Sequence, residues 1–134
     1  MNEQKVFCPL DKNGVALNRW YVLAFVVCVF DQLTKHWATI SLQFAMPEPV
    51  FAGFNFFLIH NSGAAFSFLH DQSGWQRWFL AAVAGILSLL IVFWIHRLGQ
   101  GERSTAFGLA LVLGGAVGNL LDRLYFGYVV DFIQ

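Results

Sequence analysis

Apolar residues run unbroken from Trp20 to Phe30, give way to Asp31-Gln32-Leu33-Thr34-Lys35, and resume as far as Ile40. This pattern predicts a membrane helix over residues 20–40, with Asp31 and Lys35 towards one end. A second run, Phe79–Ile95, contains no charge, and Trp75 and Trp78 flank one end and Trp94 the other. With its flanks it reaches the ~20 residues that cross about 30 Å of hydrocarbon. The tryptophans fall where aromatic belts meet the two interfaces. A third span is predicted from about Thr105 to Leu121. It carries Gly108, Gly114, Gly115 and Gly118, and the Gly114/Gly118 pair has the small-xxx-small spacing that lets helices pack closely.

Between the first two spans the pattern changes. Met46-Pro47-Glu48-Pro49 is expected to break regular structure. Residues 50–60 then alternate, with Phe51, Phe54, Phe56 and Leu58 on one face and Phe57 and Ile59 on the other. One or two short strands are predicted, forming a small aromatic sheet on the membrane surface. Asn61-Ser62-Gly63-Ala64-Ala65-Phe66 reads as a turn of small residues.

Composition strengthens the membrane reading. Of 134 residues, 57% are apolar and 12% charged, with fifteen Phe and five Trp. Ordinary soluble domains have roughly 45–50% apolar and ~25% charged residues. A water-soluble fold of this length could not hide so much apolar surface. The length fits one domain, and a net charge of zero suggests no nucleic acid. A secretory signal peptide is the competing reading of the first run. Asp31 and Lys35 stand where its small-residue cleavage site should be, and further spans follow. The basic residues set orientation. Lys5, Lys12 and Arg19 precede the first span, Arg97 and Arg103 lie between the second and third, and residues 39–74 contain none. The positive-inside rule then places the amino end in the cytoplasm and segment 41–74 outside.

Asp31, Lys35, Asp122, Arg123 and Asp131 all fall on that outer side. Ionisable groups at membrane depth are functional candidates because desolvating a charge costs several kcal/mol. Asp31 and Lys35 are four apart on one helix and can pair, and an interfacial ion pair ending the span is the plainer reading. Asp122 and Arg123 could simply cap the third span. Asn119, one turn before Asp122 inside the apolar run, needs hydrogen-bond partners, which Asp122 or a substrate peptide could supply. Asp131 has apolar neighbours on both sides in Gly127-Tyr128-Val129-Val130-Asp131-Phe132. Such a poorly solvated carboxyl suits general acid/base work. Cys8 and Cys28 have no metal-ligand spacing, and His36, His60, His70 and His96 are scattered, so no metal site is expected. Ser62 and Ser67 lack a Ser-His-Asp pattern.

Four blocks in order resemble the signatures of bacterial lipoprotein signal peptidases (signal peptidase II). They are Asp31–Lys35, then Asn61-Ser62-Gly63-Ala64-Ala65-Phe66-Ser67, then residues 114–124 (GGAVGNLLDRL), and Gly127–Phe132. The resemblance spans residue 20 to the end. It implies a four-span helical bundle in the bacterial inner membrane with an outer-face β-cradle. It also implies an aspartic dyad that cuts a proprotein just before a diacylglyceryl-modified cysteine. Asp131 matches the first dyad aspartate. Asn61, Asn119 and Arg123 match positions that hold substrate or order the site, and Asp122 and Asp31, with Lys35 in the same block, match polar positions that support it. The expected partners are a lipid-modified proprotein and membrane lipids, the expected state is a monomer, and no cofactor is expected.

One departure stands out. The family's second aspartate lies in an Asn-x-Ala-Asp block opening a fourth membrane helix, and no such block occurs in these 134 residues. The expectation is a single membrane-embedded peptidase domain over residues 1–134, mainly α, with three spans present and the fourth missing. A fragment is expected rather than a truncated, inactive paralogue. A non-enzymatic membrane scaffold or transport component is a further alternative, disfavoured because the polar residues gather at one face rather than mid-membrane.

Overall fold

The computed structural model describes residues 14–63, 74–99 and 101–133, with side chains from residue 18 onward. Cys8, Lys5, Lys12, His70 and residues 64–67 of the small-residue block lie outside the described residues. Three helices and one sheet make up the remainder: α1 (Gly14–Ser41), β1 (Pro47–Phe51), β2 (Phe54–Asn61), α2 (Trp75–Arg97), α3 (Arg103–Tyr125) and β3 (Val129–Ile133). The sheet is antiparallel, in the order β1-β2-β3.

α2 and α3 are long and apolar enough to cross a membrane. α1 has 28 residues, about 42 Å at 1.5 Å per residue, so its length also suffices. Its interior polar residues, Asp31, Gln32 and Lys35, lower its apolar character. Large apolar side chains cover the outside of all three helices. Phe25 is 70% exposed and Leu89 71%, and Val26, Phe30, Leu90, Phe93 and Val112 are also exposed. A continuous apolar exterior of this kind calls for lipid or a partner rather than water.

α3 packs against both α1 and α2. Ala24, Ile95, Ala110 and Leu113 form the buried helix core, with Tyr21, Val92 and Val117 packed on it. The two glycines singled out for spacing set the approach of α1. A Cβ built on Gly114 would stand 2.6 Å from the Ala24 carbonyl oxygen and from Val27 Cβ, and one on Gly118 would collide with the Asp31 carboxylate. Backbone therefore meets backbone here, as small residues at helix interfaces permit.

The sheet sits at the carboxyl end of α1. Ala38 and Leu42 pack with Leu58 of β2 and Val130 of β3, and Phe56, Tyr128 and Phe132 flank them. The expected aromatic face of the hairpin forms: Phe51 stacks on Phe54 at 5.0 Å, and Phe54 meets Phe56 edge-on at 5.6 Å. One expectation needs correction. Pro47 and Pro49 do not break the chain but lie within β1, pairing with Phe57 and Asn55. β1 is an edge strand, where a residue without an N–H is tolerated. The break comes earlier, at Ala45, which has φ 59°. The carboxyl-terminal segment forms the other edge strand: β3 pairs along β2, with Ile59 opposite Asp131 and Asn61 opposite Val129.

Gly114→Ala is expected to destabilise the protein by about 1–3 kcal/mol through overpacking at the α1–α3 contact. Gly115→Ala, where an added Cβ meets nothing within 4 Å, is expected to be neutral or slightly stabilising. Thermal unfolding of the two variants in detergent checks the contrast, and equal midpoints would mean that the close approach does not matter.

Candidate active site

Lys35 is 7% exposed and sits where α1 faces the last two turns of α3. An ammonium group has three N–H donors. Its nitrogen lies 2.8 Å from Asp31 Oδ2, 2.9 Å from Asp122 Oδ2 and 2.9 Å from Asn119 Oδ1, so each donor has an acceptor. The i,i+4 pair predicted on α1 exists, but it is part of a buried cluster rather than an interfacial end of the helix. The expected partner of Asn119 was Asp122 or a substrate peptide; within the protein its side-chain oxygen accepts from Lys35.

Asp122 is 1% exposed. Besides Lys35, Gln32 Nε2 donates to its Oδ1 at 3.0 Å and the Val130 backbone N–H donates to its Oδ2 at 3.1 Å. Gln32 Nε2 also lies 3.1 Å from the Gly118 carbonyl and 3.2 Å from Asp31 Oδ2. A buried carboxylate is tolerated only when its oxygens are occupied and its charge is balanced, and Asp122 has both. Two carboxylates face one ammonium in the cluster. The half-buried Arg123 guanidinium lies within electrostatic reach of Asp122 and of Asp131.

Asp131 occupies a separate niche. It is half-buried on β3, and Asn61 Nδ2 of β2 donates to its Oδ2 at 3.0 Å. The Asn61 carbonyl oxygen accepts from the Gly63 backbone N–H at 2.8 Å, which orients the amide. The structure thus brings Asp31, Lys35, Asn119 and Asp122 into one cluster and Asn61 and Asp131 into a second. Val130 joins the two, its N–H on Asp122 and its neighbour Asp131 on the other niche.

Two of the described histidines, His60 and His96, make ring contacts. His60 stacks on Tyr128 at 4.0 Å, His96 lies 5.7 Å from the Tyr21 ring, and His36 is exposed. Among the described residues, no group of three His, Cys, Asp or Glu side chains converges to hold a metal ion.

Two polar residues were missed by the sequence reading. Gln32 lay inside a quoted block without a role, although an amide within an apolar helix is a signal in itself. Arg77 was absorbed into the tryptophan flank of the second span. Its Nε donates to the Arg123 carbonyl at 2.8 Å, and its terminal nitrogen donates to the Leu124 carbonyl.

A family profile described as signal peptidase (SPase) II matches residues 23–134. The chain belongs to the signal peptidase II family. It is 53% identical over 121 residues to the lipoprotein signal peptidase of Teredinibacter turnerae, covering 90% of this chain and 72% of that protein. It is 49% identical over 114 residues to that of Cellvibrio japonicus, covering 85% and 67%. Among solved structures, a bacterial membrane enzyme determined by the in meso method at 1.9 Å resolution is similar, with a TM-score of 0.75 and 27% identity over 87% of this chain and 74% of that one. The described part of this signal peptidase II chain thus has the fold of a membrane enzyme, mainly helical with a small antiparallel sheet.

Lys35→Met would leave Asp31 and Asp122 without their ammonium partner. Removing one member of a buried ion pair costs about 3–5 kcal/mol, so this variant is expected to lose most of its folded population in detergent. Asn119→Ala removes one acceptor from Lys35 and is expected to cost only about 1–3 kcal/mol. Differential scanning of both proteins measures the order, and a Lys35→Met protein as stable as the parent would contradict the assigned role of the cluster.

Proposed function

We propose that this protein is a membrane aspartic endopeptidase that removes the signal peptide from lipid-modified proproteins, cutting before the diacylglyceryl-cysteine, with Asp131 as one of its two catalytic carboxyls. Membership of the signal peptidase II family supports the reaction. The observation that carries the residue assignment is the separation of the carboxylates. Asp31 and Asp122 are bonded to a buried ammonium, whereas the hydrogen bond to Asp131 comes from the neutral Asn61 amide. A carboxylate pinned to a cation is a poor proton carrier. One held by an amide can gain and lose a proton without breaking an ion pair.

Two carboxyls held close share a proton, because both cannot ionise cheaply. One takes a proton from the attacking water while the other protonates the carbonyl oxygen and later the leaving amine. Asp131 supplies one of these groups. Its partner is an aspartate outside these 134 residues, on a fourth span that completes a single peptidase domain. Asn61 orients Asp131, and Asn119 and Arg123 hold the substrate backbone or order the site. Asp31, Lys35 and Asp122 hold α1, α3 and β3 in register. The chemistry uses no cofactor.

α1, α2 and α3 cross the bacterial inner membrane, with the amino end in the cytoplasm and the sheet and Asp131 on the outer side. The basic residues Arg19, Arg97 and Arg103 at the opposite end from Asp131 support this orientation. A site at the membrane surface suits a substrate whose acyl chains stay in the bilayer while its peptide enters the sheet. The enzyme acts as a monomer.

Asp131→Asn is expected to abolish cleavage of a lipidated proprotein by the full-length gene product while leaving its unfolding midpoint nearly unchanged. A gel-mobility assay of the proprotein reads the first property and thermal unfolding the second. Retained cleavage would remove Asp131 from the mechanism.

A further inference from the structure

Arg77 stands in the first turn of α2, where a positive charge opposes the dipole of its own helix. It serves the neighbouring helix instead. The last carbonyls of an α-helix have no partner within the helix, and near hydrocarbon an unpaired carbonyl costs several kcal/mol. At the end of α3, the Phe126 N–H takes the Asp122 carbonyl at 2.7 Å, and the Gly127 N–H takes the Arg123 carbonyl at 3.1 Å. The Arg77 fork adds a second donor to Arg123 and supplies one to Leu124. The guanidinium lies 4.8 Å over the Trp78 ring, which holds the plane of the fork.

The same face of α2 also approaches the chain just before β3 and just after β2, the two strands that carry the Asp131 niche. Gly127, at φ +87°, makes the turn into β3, and a Cβ there would stand 3.4 Å from Arg77 Cδ. Three residues further along α2, Leu80 underlies the chain just past β2, where a Cβ on Gly63 would fall 2.7 Å from Leu80 Cδ1. Residues at i and i+3 share a helix face. Arg77 therefore supports the Asp131 side of the niche and Leu80 the Asn61 side, and the 3.0 Å hydrogen bond between Asn61 and Asp131 spans the two.

We infer that Arg77 is a positioning residue for the proteolytic site, fixing the α3–β3 corner so that the Asp131 carboxylate is held in line for proton transfer. The inference rests on the assignment of Asp131 as catalytic. Misplacing a reacting group by about 1 Å costs on the order of 100-fold in rate. Arg77→Met in the full-length gene product is accordingly expected to lower kcat on a lipidated proprotein roughly 10–100-fold per folded molecule, with KM within about twofold. Arg77→Lys, which keeps the charge but offers no planar fork, is expected to restore part of kcat and serves as the test if Arg77→Met does not fold. A residue with a purely structural role would change only the folded fraction. Parental kcat per folded molecule in Arg77→Met, or in Arg77→Lys where Arg77→Met cannot be folded, overturns the inference. Asp131→Asn is assayed alongside. If it is active, the catalytic reading itself has failed; if it is inactive while the Arg77 variants turn over normally, only the role of Arg77 has failed.

Discussion

The structure depends on one buried ammonium. Lys35 is withdrawn from solvent beside apolar helix surfaces, where an isolated charge would cost many kcal/mol. It is tolerated because each of its N–H groups meets an oxygen, and because those oxygens come from two helices, Asp31 on α1 and Asn119 and Asp122 on α3. The requirement runs both ways. Asp122 is still more buried than Lys35 and needs the ammonium, the Gln32 amide and the Val130 N–H to occupy its oxygens. No member can leave without stranding another, so the cluster sets the relative position of α1, α3 and β3.

That constraint accounts for features which look unrelated. Lys35 and Gln32 of α1 can reach Asn119 and Asp122 only if α1 lies directly on α3, and Gly118 leaves the space that the Asp31 carboxylate occupies. The bond from Val130 to Asp122 ties the first residues of β3 to the end of α3, and β3 in turn brings the sheet down onto Ala38 and Leu42. The sheet therefore does not float on the bundle. It is fastened at its β3 edge by a charged hydrogen bond and at its centre by Leu58, while β1, exposed along its length, is free to carry two prolines.

How much of this could be read from the residues follows the range of each interaction. α2 and α3 were legible because long uncharged apolar runs, flanked by tryptophans in α2 and rich in glycine in α3, have one economical solution. The hairpin was legible from its alternating aromatics, although Pro47 and Pro49 were read as a break because nothing local says that β1 lies at an edge. β3 was not legible as a third strand. It has five residues, and its partner β2 lies some seventy positions earlier, a pairing that only the fold creates. The polar site residues were legible one by one, since a charge near an apolar run is conspicuous, but their pairings were not. Asn119 pointed to Asp122 or a substrate peptide, whereas the crossing of two helices gives it Lys35. Arg77 was not legible because its bonds are to backbone carbonyls that carry no sequence signal.

Among the described residues, the three aspartates near this end of the bundle are chemically unequal, and the inequality follows from their neighbours. Asp31 and Asp122 balance the Lys35 ammonium in a low-dielectric setting, so their charges are part of what holds the fold together. Asp131 bears no such burden. Its bond to Asn61 is to a neutral donor, the amide is oriented by the Gly63 N–H, and its link to the charged cluster is indirect, through the Val130 backbone and the nearby Arg123. On the proposed reading of Asp131 as catalytic, the group that changes protonation in each turnover stands next to, but not within, the ion cluster that holds the protein together. The single-residue step from Val130 to Asp131 gives that arrangement: along a strand successive side chains point to opposite faces, so Val130 enters the core beneath the sheet while Asp131 is presented to the niche.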